Sequence, residues 1–186
     1  MYKTALRQYI RRKKAATTEA FRRAEDVEIA RRLLSLDIIN KAQTILMYWS
    51  LPDEVATHDI TTALRRQRKT VLLPCVTATG EMELRMFGDE NDMTADSYGI
   101  LCPQGTAFRD YLNIDVAVVP GIAFDSHNNR LGRGKGFYDR LLPLLPNAFK
   151  IGLAYSFQLV DTINTDIHDV PMNIVLSANA IVTHRK

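Results

Sequence analysis

The chain has 186 residues, of which 46% are hydrophobic and 24% are charged, and this size and composition indicate one globular domain that can bury a core without metal or disulfide cross-links. No stretch approaches the roughly 20 consecutive apolar residues of a membrane-spanning helix, and the first residues lack the pattern of a secretory signal. We therefore expect a soluble, cytoplasmic protein that binds no membrane, and a single domain over residues 1–186.

The net charge of +3 is unevenly distributed along the chain. Residues 1–32 hold ten Lys and Arg against four Asp and Glu, whereas residues 33–186 hold fourteen against seventeen. Positive charge concentrated in this way favours an anionic partner, which could be a nucleotide, a polyglutamate tail or a nucleic acid. Composition alone leaves these three alternatives open.

Two helices are predicted at the N-terminus. The first covers residues 2–15 and carries apolar side chains on one side. Its other side presents four basic residues at helical spacing, which we call the cationic ridge: Lys3, Arg7, Arg11 and Lys14. Thr17 or Thr18 offers an N-cap for the second helix, which runs to about Leu36.

Short apolar runs follow, separated by helical or turn segments. The predicted strands are residues 44–50, 71–74, 82–87, 115–120, 149–155 and 180–184. Helices are predicted from Thr57, as the N-cap, to Arg68, and over residues 137–145. The first strand, helix and strand form a βαβ unit with a parallel pair, whereas the alternating strand 82–87 leaves the parallel pattern. We predict an α/β fold, a three-layer domain with a mostly parallel sheet, helices on both faces and an N-terminal helical pair.

A glycine-rich loop joins the predicted strand 115–120 to the helix 137–145. It holds Gly132, Gly134 and Gly136 at every second position, a spacing that permits positive φ angles and lets successive backbone N–H groups converge on an anion. The following helix would point its partially positive N-terminus at the same place. These features indicate a phosphate site, and a plain glycine-rich connection is the alternative.

Neither common phosphate motif fits this loop. A Walker A loop would need Ser or Thr where Gly136 stands and a glycine where Asn129 stands, and a dinucleotide fingerprint would need glycine where Phe137 stands. The longer run PGIAFDSHNNRLGRGKGFYDR, residues 120–140, instead resembles the signature of the 5-formyltetrahydrofolate cyclo-ligases, also called methenyltetrahydrofolate synthetases. Lys3 and Arg7, the stretch YWSLPDEVAT at residues 48–57, and His168-Asp169 extend the resemblance over essentially the whole chain.

The resemblance implies an ATP- and Mg²⁺-dependent closure of 5-formyltetrahydrofolate to 5,10-methenyltetrahydrofolate with release of ADP and phosphate. It implies that ATP is bound by Lys3, Arg7, Arg130, Leu131, Gly132, Arg133, Gly134, Lys135, Gly136, Phe137 and Tyr138. It implies that the folate, which could be polyglutamylated, is bound by Trp49, Glu54, Arg133, Gly134, Lys135, Gly136 and Phe137. Tyr98 is a further candidate for a second aromatic wall.

The catalytic cations implied by the resemblance are Arg130, Arg133 and Lys135, and the Mg²⁺ ligands are Asp139 and Asp169. Without the resemblance, several of the residues assigned to ATP, folate or Mg²⁺ could instead have a purely structural role. The cationic ridge could be a solvated helix face, Trp49 a core residue, Glu54 a surface charge, Asp139 a helix-start carboxylate and Asp169 a turn residue. The residues at 100–104, ILCPQ, depart from the tighter GI-x-x-P element of many relatives.

The remaining titratable residues offer no competing site. Cys75 and Cys102 are too far apart for a CxxC site and are expected to be buried. The four histidines are spread along the chain, so no catalytic histidine is assigned: His58, His127, His168 and His184. A sugar-phosphate isomerase or CoA-transferase-like enzyme and a nucleic-acid-binding module are the rival classes, and we expect a monomer that binds no nucleic acid.

Overall fold

A computed structural model describes residues 2–183 of the chain. The helices are α1 (Lys3–Ala15), α2 (Glu19–Ser35), α3 (Asp37–Lys41), α4 (His58–Arg66) and α5 (Phe137–Leu141). The strands are β1 (Thr44–Leu46), β2 (Thr70–Val76), β3 (Met82–Met86), β4 (Met93–Ala95), β5 (Leu101–Pro103), β6 (Ala107–Phe108), β7 (Val116–Val119), β8 (Ala123–Asp125), β9 (Arg130–Leu131), β10 (Phe149–Leu153), β11 (Leu159–Val160), β12 (Ile174–Leu176) and β13 (Ile181–Thr183). No helix in this part of the chain is long and apolar enough to cross a membrane.

Eight of these strands form the central sheet, in the order β13-β12-β10-β7-β1-β2-β3-β6. The five inner strands, from β12 to β2, run parallel to one another. The remaining strands, β13 at one edge and β3 and β6 at the other side, join through antiparallel pairs. The predicted α/β class and mostly parallel sheet are therefore confirmed, as is the departure of strand 82–87 from the parallel pattern. Two smaller sheets, β11-β8-β9 and β4-β5, were not predicted.

Several predicted elements are shorter than expected. The strand predicted over residues 44–50 ends at Leu46, and the helix predicted over 137–145 ends at Leu141 and continues as a 3-10 turn over Leu142–Leu144. Pro143 explains the second difference, because proline lacks the N–H that would continue the α-helical bonding. The strand predicted over 180–184 covers Ile181–Thr183, and His184 lies outside the described residues.

The helices cover different surfaces of the sheets. Ile29 and Leu33 of α2 pack with Leu64 of α4 in the core on one face of the central sheet, while Leu141 of α5 belongs to the core on the other face. Leu6 and Ile10 of α1 instead pack against the small sheet that contains β8 and β9. The two N-terminal helices are therefore present but pack in separate clusters, and α1 lies beside the strand that leads into the glycine-rich loop.

The strand order creates a crevice between β1 and β7. The chain leaves β1 through α4 toward β2 on one side, and it leaves β7 through α5 toward β10 on the other side. Parallel sheets bind ligands outside the carboxyl ends of strands at such a reversal of direction. The topology alone thus places a binding site after Leu46 and after Val119.

Candidate active site

A pocket of about 450 Å³ lies at this reversal. Its walls come from the residues that follow β1 and β7, from the end of β2, from the segment around Tyr98, and from the glycine-rich loop with the start of α5. The residues that line it include Tyr48, Trp49, Glu54, Tyr98, Arg130, Gly132, Arg133, Gly134, Lys135, Gly136, Phe137, Tyr138 and Asp139. The pocket therefore brings together most of the residues that the sequence predicted for ATP and folate.

One wall is the segment between β1 and α4, residues 47–57. Thr57, which is fully buried, donates a hydrogen bond from its hydroxyl to the Tyr48 carbonyl, and the same hydroxyl oxygen accepts from the Ser50 N–H at 3.2 Å. The Thr57 N–H in turn donates to the Ser50 hydroxyl at 3.1 Å. The Tyr48 hydroxyl donates to the Val55 carbonyl at 3.1 Å. These bonds close the segment on itself, which fixes the backbone on either side of Trp49 and Glu54.

The glycine-rich loop forms a second wall. Its shape depends on the backbone conformation of its glycines. Gly134 and Gly136 have φ angles of +99° and +69°, a region that side-chain-bearing residues rarely adopt. Gly136 is also the N-cap residue of α5. Arg7 of α1 donates from Nε to the Gly132 carbonyl at 2.9 Å, and its guanidinium lies beside Gly134. The cationic ridge of α1 thus reaches the loop through Arg7.

Arg130 is the most enclosed cation of the site. Its side chain is 4% exposed, and it donates from Nη2 to Asp139 Oδ1 at 2.5 Å. Its guanidinium also lies 5.5 Å from the centre of the Tyr138 ring. Burial raises the pKa of Tyr138, which stays protonated, and both the Tyr138 hydroxyl and Arg130 Nε are buried without a hydrogen-bond partner among the described residues. Arg130 and Tyr138 both line the pocket, and each keeps one buried donor unsatisfied among the described residues.

Arg133 is exposed and paired with the segment before α4. It donates to Glu54 Oε1 at 2.9 Å and to Asp53 Oδ1 at 2.5 Å. Asp53 is also paired with Lys14 of α1 at 2.6 Å. Partial burial acts to raise the pKa of Asp53, but the hydrogen bonds from Lys14 and Arg133 outweigh it, and the pKa is lowered overall. Asp53 therefore joins three parts of the chain: α1, the β1–α4 segment and the loop.

Lys135 differs from both arginines, since it is exposed and has no ion-pair partner within the described residues. Lys3, at the start of α1, is not on the pocket wall but pairs with Asp166 and Asp169 at 2.5 and 2.6 Å. Partial burial acts to lower the pKa of Lys3, but the hydrogen bonds that Lys3 donates to Asp166 and Asp169 outweigh it and raise the pKa. Leu131 is buried and packs against α1 rather than lining the pocket.

The two aspartates predicted to bind Mg²⁺ are both engaged with cations. Asp139 lies on the pocket wall and uses one carboxylate oxygen for Arg130, whereas Asp169 uses one oxygen for Lys3 and for the Asp166 N–H. Within residues 2–183, no group of three His, Cys, Asp or Glu side chains could hold a metal by itself. Asp139 fits Mg²⁺ in another way, because this ion commonly takes one or two carboxylates together with substrate phosphates and water. Asp169 does not line the pocket, so the structure does not bring the two predicted ligands together on its wall.

Aromatic rings complete the pocket. Trp49 is partly buried, and its ring centroid lies 5.6 Å from that of Phe87. The Tyr98 ring packs edge-on against Phe137 with centroids 5.5 Å apart. Ile100 and Leu101, in the segment that departs from the family pattern, also line the pocket. A flat heterocycle could therefore lie between aromatic and aliphatic surfaces while its polar edge meets Glu54.

Sequence reasoning missed several wall and linking residues. The pocket is also lined by residues at or just after the ends of β2 and β7, and the strand ends predicted at residues 74 and 120 could have revealed them: Pro74, Val76, Pro120 and Gly121. Asp53 and Lys14 gave no signal of their pairing, since these residues meet only through the tertiary fold.

Comparison with known proteins agrees with the geometry. Residues 1–178 match the sequence model of the 5-formyltetrahydrofolate cyclo-ligase family. The chain is 32% identical to the 5-formyltetrahydrofolate cyclo-ligase of Haemophilus influenzae, over 92% of this chain and 95% of that protein. It is 26% identical to the enzyme of the same name from Escherichia coli K12, over 92% and 98% of the two chains.

Two solved structures share the fold. The 5,10-methenyltetrahydrofolate synthetase of Aquifex aeolicus superposes with a TM-score of 0.88 at 29% identity, covering 100% of this chain and 94% of that one. The 5,10-methenyltetrahydrofolate synthetase of Mycoplasma pneumoniae gives a TM-score of 0.77 at 28% identity, over 96% and 99% of the two chains. The resemblance seen in the sequence is thereby confirmed, and the chain belongs to the 5-formyltetrahydrofolate cyclo-ligase family.

Proposed function

We propose that this protein uses ATP and Mg²⁺ to convert 5-formyltetrahydrofolate into 5,10-methenyltetrahydrofolate, releasing ADP and phosphate, and that it does so as one domain. The observation that carries the proposal is the single pocket in which aromatic walls meet a glycine-rich loop and three cations, Arg130, Arg133 and Lys135. A flat, largely apolar substrate and a polyanionic one would share such a pocket. Membership of the family supports the choice of these two substrates.

In the proposed reaction, the N5-formyl oxygen attacks the γ-phosphorus of ATP, and the bond to the ADP oxygen breaks. The formyl oxygen thereby becomes part of a phosphate leaving group. N10 then attacks the formyl carbon, loses its proton, and the C–O bond breaks to release phosphate. No covalent bond to the protein is needed, so the chain's residues act by positioning the reactants and by neutralising charge.

The phosphates would lie against the loop. Gly134 and Gly136 leave room for backbone N–H groups to approach them, and Lys135 is a cation with no competing ion pair in the described part of the chain. Arg130, whose side chain is 4% exposed, also lines this space and would add its charge there. Arg7, which already contacts the loop, would add charge on the ATP side, and Lys3 would exchange one of its aspartate partners for phosphate.

The folate would lie against Trp49 and Phe137, with the Glu54 carboxylate accepting hydrogen bonds from the edge of its ring system. Glu54 is held by Arg133 at 2.9 Å, so the residue that would orient the folate is tied to the loop that would bind ATP. This pairing would hold the two substrates next to each other, as direct transfer of the phosphoryl group from ATP to the folate requires.

Mg²⁺ would be held by Asp139 and Asp169 together with phosphate oxygens, and it would neutralise charge on the transferring phosphoryl group. We expect Asp139→Asn and Asp169→Asn each to raise the Mg²⁺ concentration needed for half-maximal rate, because an amide oxygen is a poorer ligand than a carboxylate. Their effects should be non-additive if they share one ion. A double variant whose defect equals the product of the single defects, with unchanged Mg²⁺ dependence, would argue against a shared metal.

The proposed function is tested by mixing the protein with Mg·ATP and 5-formyltetrahydrofolate and following the absorbance of methenyltetrahydrofolate. Omitting the protein, ATP, Mg²⁺ or the folate should abolish the signal in each case. ADP should form in equal amount to the methenyl product. ADP formation that does not depend on the folate, or no methenyl product at all, would contradict the proposal.

A further inference from the structure

We propose that His58 is a positioning residue that holds the Trp49 indole against the pocket and thereby sets the affinity for the folate. The proposal rests on the proposed function for the identity of the substrate that meets Trp49. The rings of Trp49 and His58 are stacked, with centroids 3.9 Å apart and planes inclined by 11°. One face of the indole is therefore covered by an imidazole.

The imidazole is itself fixed. His58 Nε2 lies 3.1 Å from the Ser50 carbonyl oxygen, and because that oxygen can only accept, Nε2 must carry the hydrogen. His58 is also the first residue of α4, directly after Thr57, whose hydroxyl is bonded to the Tyr48 carbonyl. The histidine is thus anchored to the backbone immediately before and immediately after Trp49.

His58 supports the indole from outside the pocket. Trp49 lines both the 450 Å³ pocket and a neighbouring cavity of about 660 Å³, whereas His58 lines only the neighbouring cavity. The imidazole therefore has no place on the substrate side and acts through Trp49. Phe87, which is buried, contacts the same indole at 5.6 Å and restricts it further.

Without the imidazole, the indole would have space to leave its position, and folate binding would have to order it again. The cost of ordering the indole on binding, added to the loss of its stacking with His58, should weaken the binding constant for the folate by about three- to tenfold. The loss should fall on folate binding alone, because the ATP side of the pocket is built from the loop and α1. Uniform loss of substrate binding raises KM and leaves kcat unchanged.

Three variants separate the ring from its hydrogen bond. His58→Ala removes both, His58→Gln keeps a donor for Ser50 without a ring, and His58→Phe keeps a stacking ring without the donor. We expect KM for 5-formyltetrahydrofolate to rise about three- to tenfold in the Ala and Gln variants and to be restored largely in the Phe variant, with KM for ATP and kcat within about twofold of wild type. Asp59→Ala, at an exposed position in the same first turn of α4, is the matched control and should change neither KM.

Fluorescence supplies a second readout, and it is taken on variants whose urea unfolding curves match wild type so that a general loss of structure does not contribute to it. Trp49 is the only tryptophan, so all tryptophan emission comes from this indole. Acrylamide should quench it more strongly in His58→Ala than in His58→Phe or Asp59→Ala. Unchanged quenching and unchanged KM in His58→Ala would overturn the proposal, and so would an equal rise of both KM values.

The proposed function and the positioning role of His58 can be tested independently. If wild-type protein forms no methenyl product, the proposed function is wrong, and the role of His58 is then decided by titrating Trp49 emission with 5-formyltetrahydrofolate. Weaker binding in His58→Ala than in His58→Phe supports the positioning role. No response of Trp49 emission in wild type, or equal binding by both variants, overturns it.

Discussion

The two segments that meet at the pocket are stabilised in different ways. The β1–α4 segment, residues 47–57, is held by uncharged hydrogen bonds around the buried Thr57. The glycine-rich loop, residues 130–136, has left-handed glycines and exposed charged side chains such as Arg133 and Lys135. A flat heterocycle needs a wall of fixed shape, whereas a polyphosphate needs accessible charge, which the exposed Lys135 offers without a competing ion pair in the described part of the chain. The difference indicates how one pocket could serve two dissimilar substrates.

The largest expected effect comes from removing charge from the loop. Lys135→Ala should lower turnover by about 100-fold or more, the scale of losing one transition-state charge partner. Because Lys135 is exposed and without an ion pair in the described residues, the free energy of unfolding should stay unchanged. Arg65→Ala, which removes an exposed cation at the far end of α4, is the control and should leave the rate unchanged. Turnover rates and urea unfolding curves measure both quantities.

Arg130→Ala should lower turnover as strongly, but it should also destabilise the fold. Arg130 is almost fully buried and paired with Asp139, so its removal leaves a carboxylate without its partner. Lys135→Ala should therefore affect turnover alone, whereas Arg130→Ala should affect both turnover and stability. Unchanged turnover in both Lys135→Ala and Arg130→Ala would show that the loop is not a phosphate site.

A smaller effect is expected from α1, which approaches the loop from outside. Lys3→Ala combined with Arg7→Ala should raise KM for ATP by about tenfold, since two contacts to phosphate or to the loop are lost. The KM for 5-formyltetrahydrofolate should change much less, because neither residue lines the wall near Trp49. Equal weakening of both substrates in steady-state titrations would mean that the cationic ridge is not a nucleotide element.

Substitution of Thr57 in the β1–α4 segment should lower the stability of the protein rather than its turnover rate. Thr57→Val leaves the Tyr48 carbonyl and the Ser50 N–H without their partner inside the core, at a cost of about 1–3 kcal/mol in the free energy of unfolding. Thr57→Ser keeps the hydroxyl and should retain most of that stability. Urea unfolding measures the difference, and equal stability of the Val and Ser variants would show that the hydroxyl does not hold this segment.

The sequence allowed prediction of features that depend on local pattern. The largely apolar runs 115–120 and 149–155 predicted strands of a mostly parallel sheet, and the alternating run 82–87 predicted a strand that leaves the parallel pattern. Alternate glycines and the family signature predicted the loop, which does line the pocket. The roles assigned to its residues stay predictions until they are measured.

The features that escaped prediction depend on contacts between distant parts of the chain. Strands of two or three residues, such as β6, β9 and β11, exist only because a neighbouring strand pairs with them. Arg130 and Asp139 were assigned separate roles as a phosphate cation and a metal ligand, and their pairing appears only in the folded chain. The stacking of His58 on Trp49 likewise needs the turn that Thr57 closes.

The smallest expected effect lies at Asp53, which connects the two segments. Asp53→Asn weakens the pairs with Arg133 and Lys14, and both pairs are partly exposed, so the free energy of unfolding should fall by about 1 kcal/mol or less. The pKa of Asp53 is lowered in the folded protein, so the carboxylate stabilises the fold above its unfolded pKa of about 3.9, and this stabilisation is lost as the pH falls through the folded value. The difference between wild type and Asp53→Asn should therefore be present at pH 7, shrink with added salt and vanish in acid below the folded pKa. Urea unfolding at several pH values measures it, and a difference that persists at low pH would show that Asp53 contributes through packing rather than through its charge.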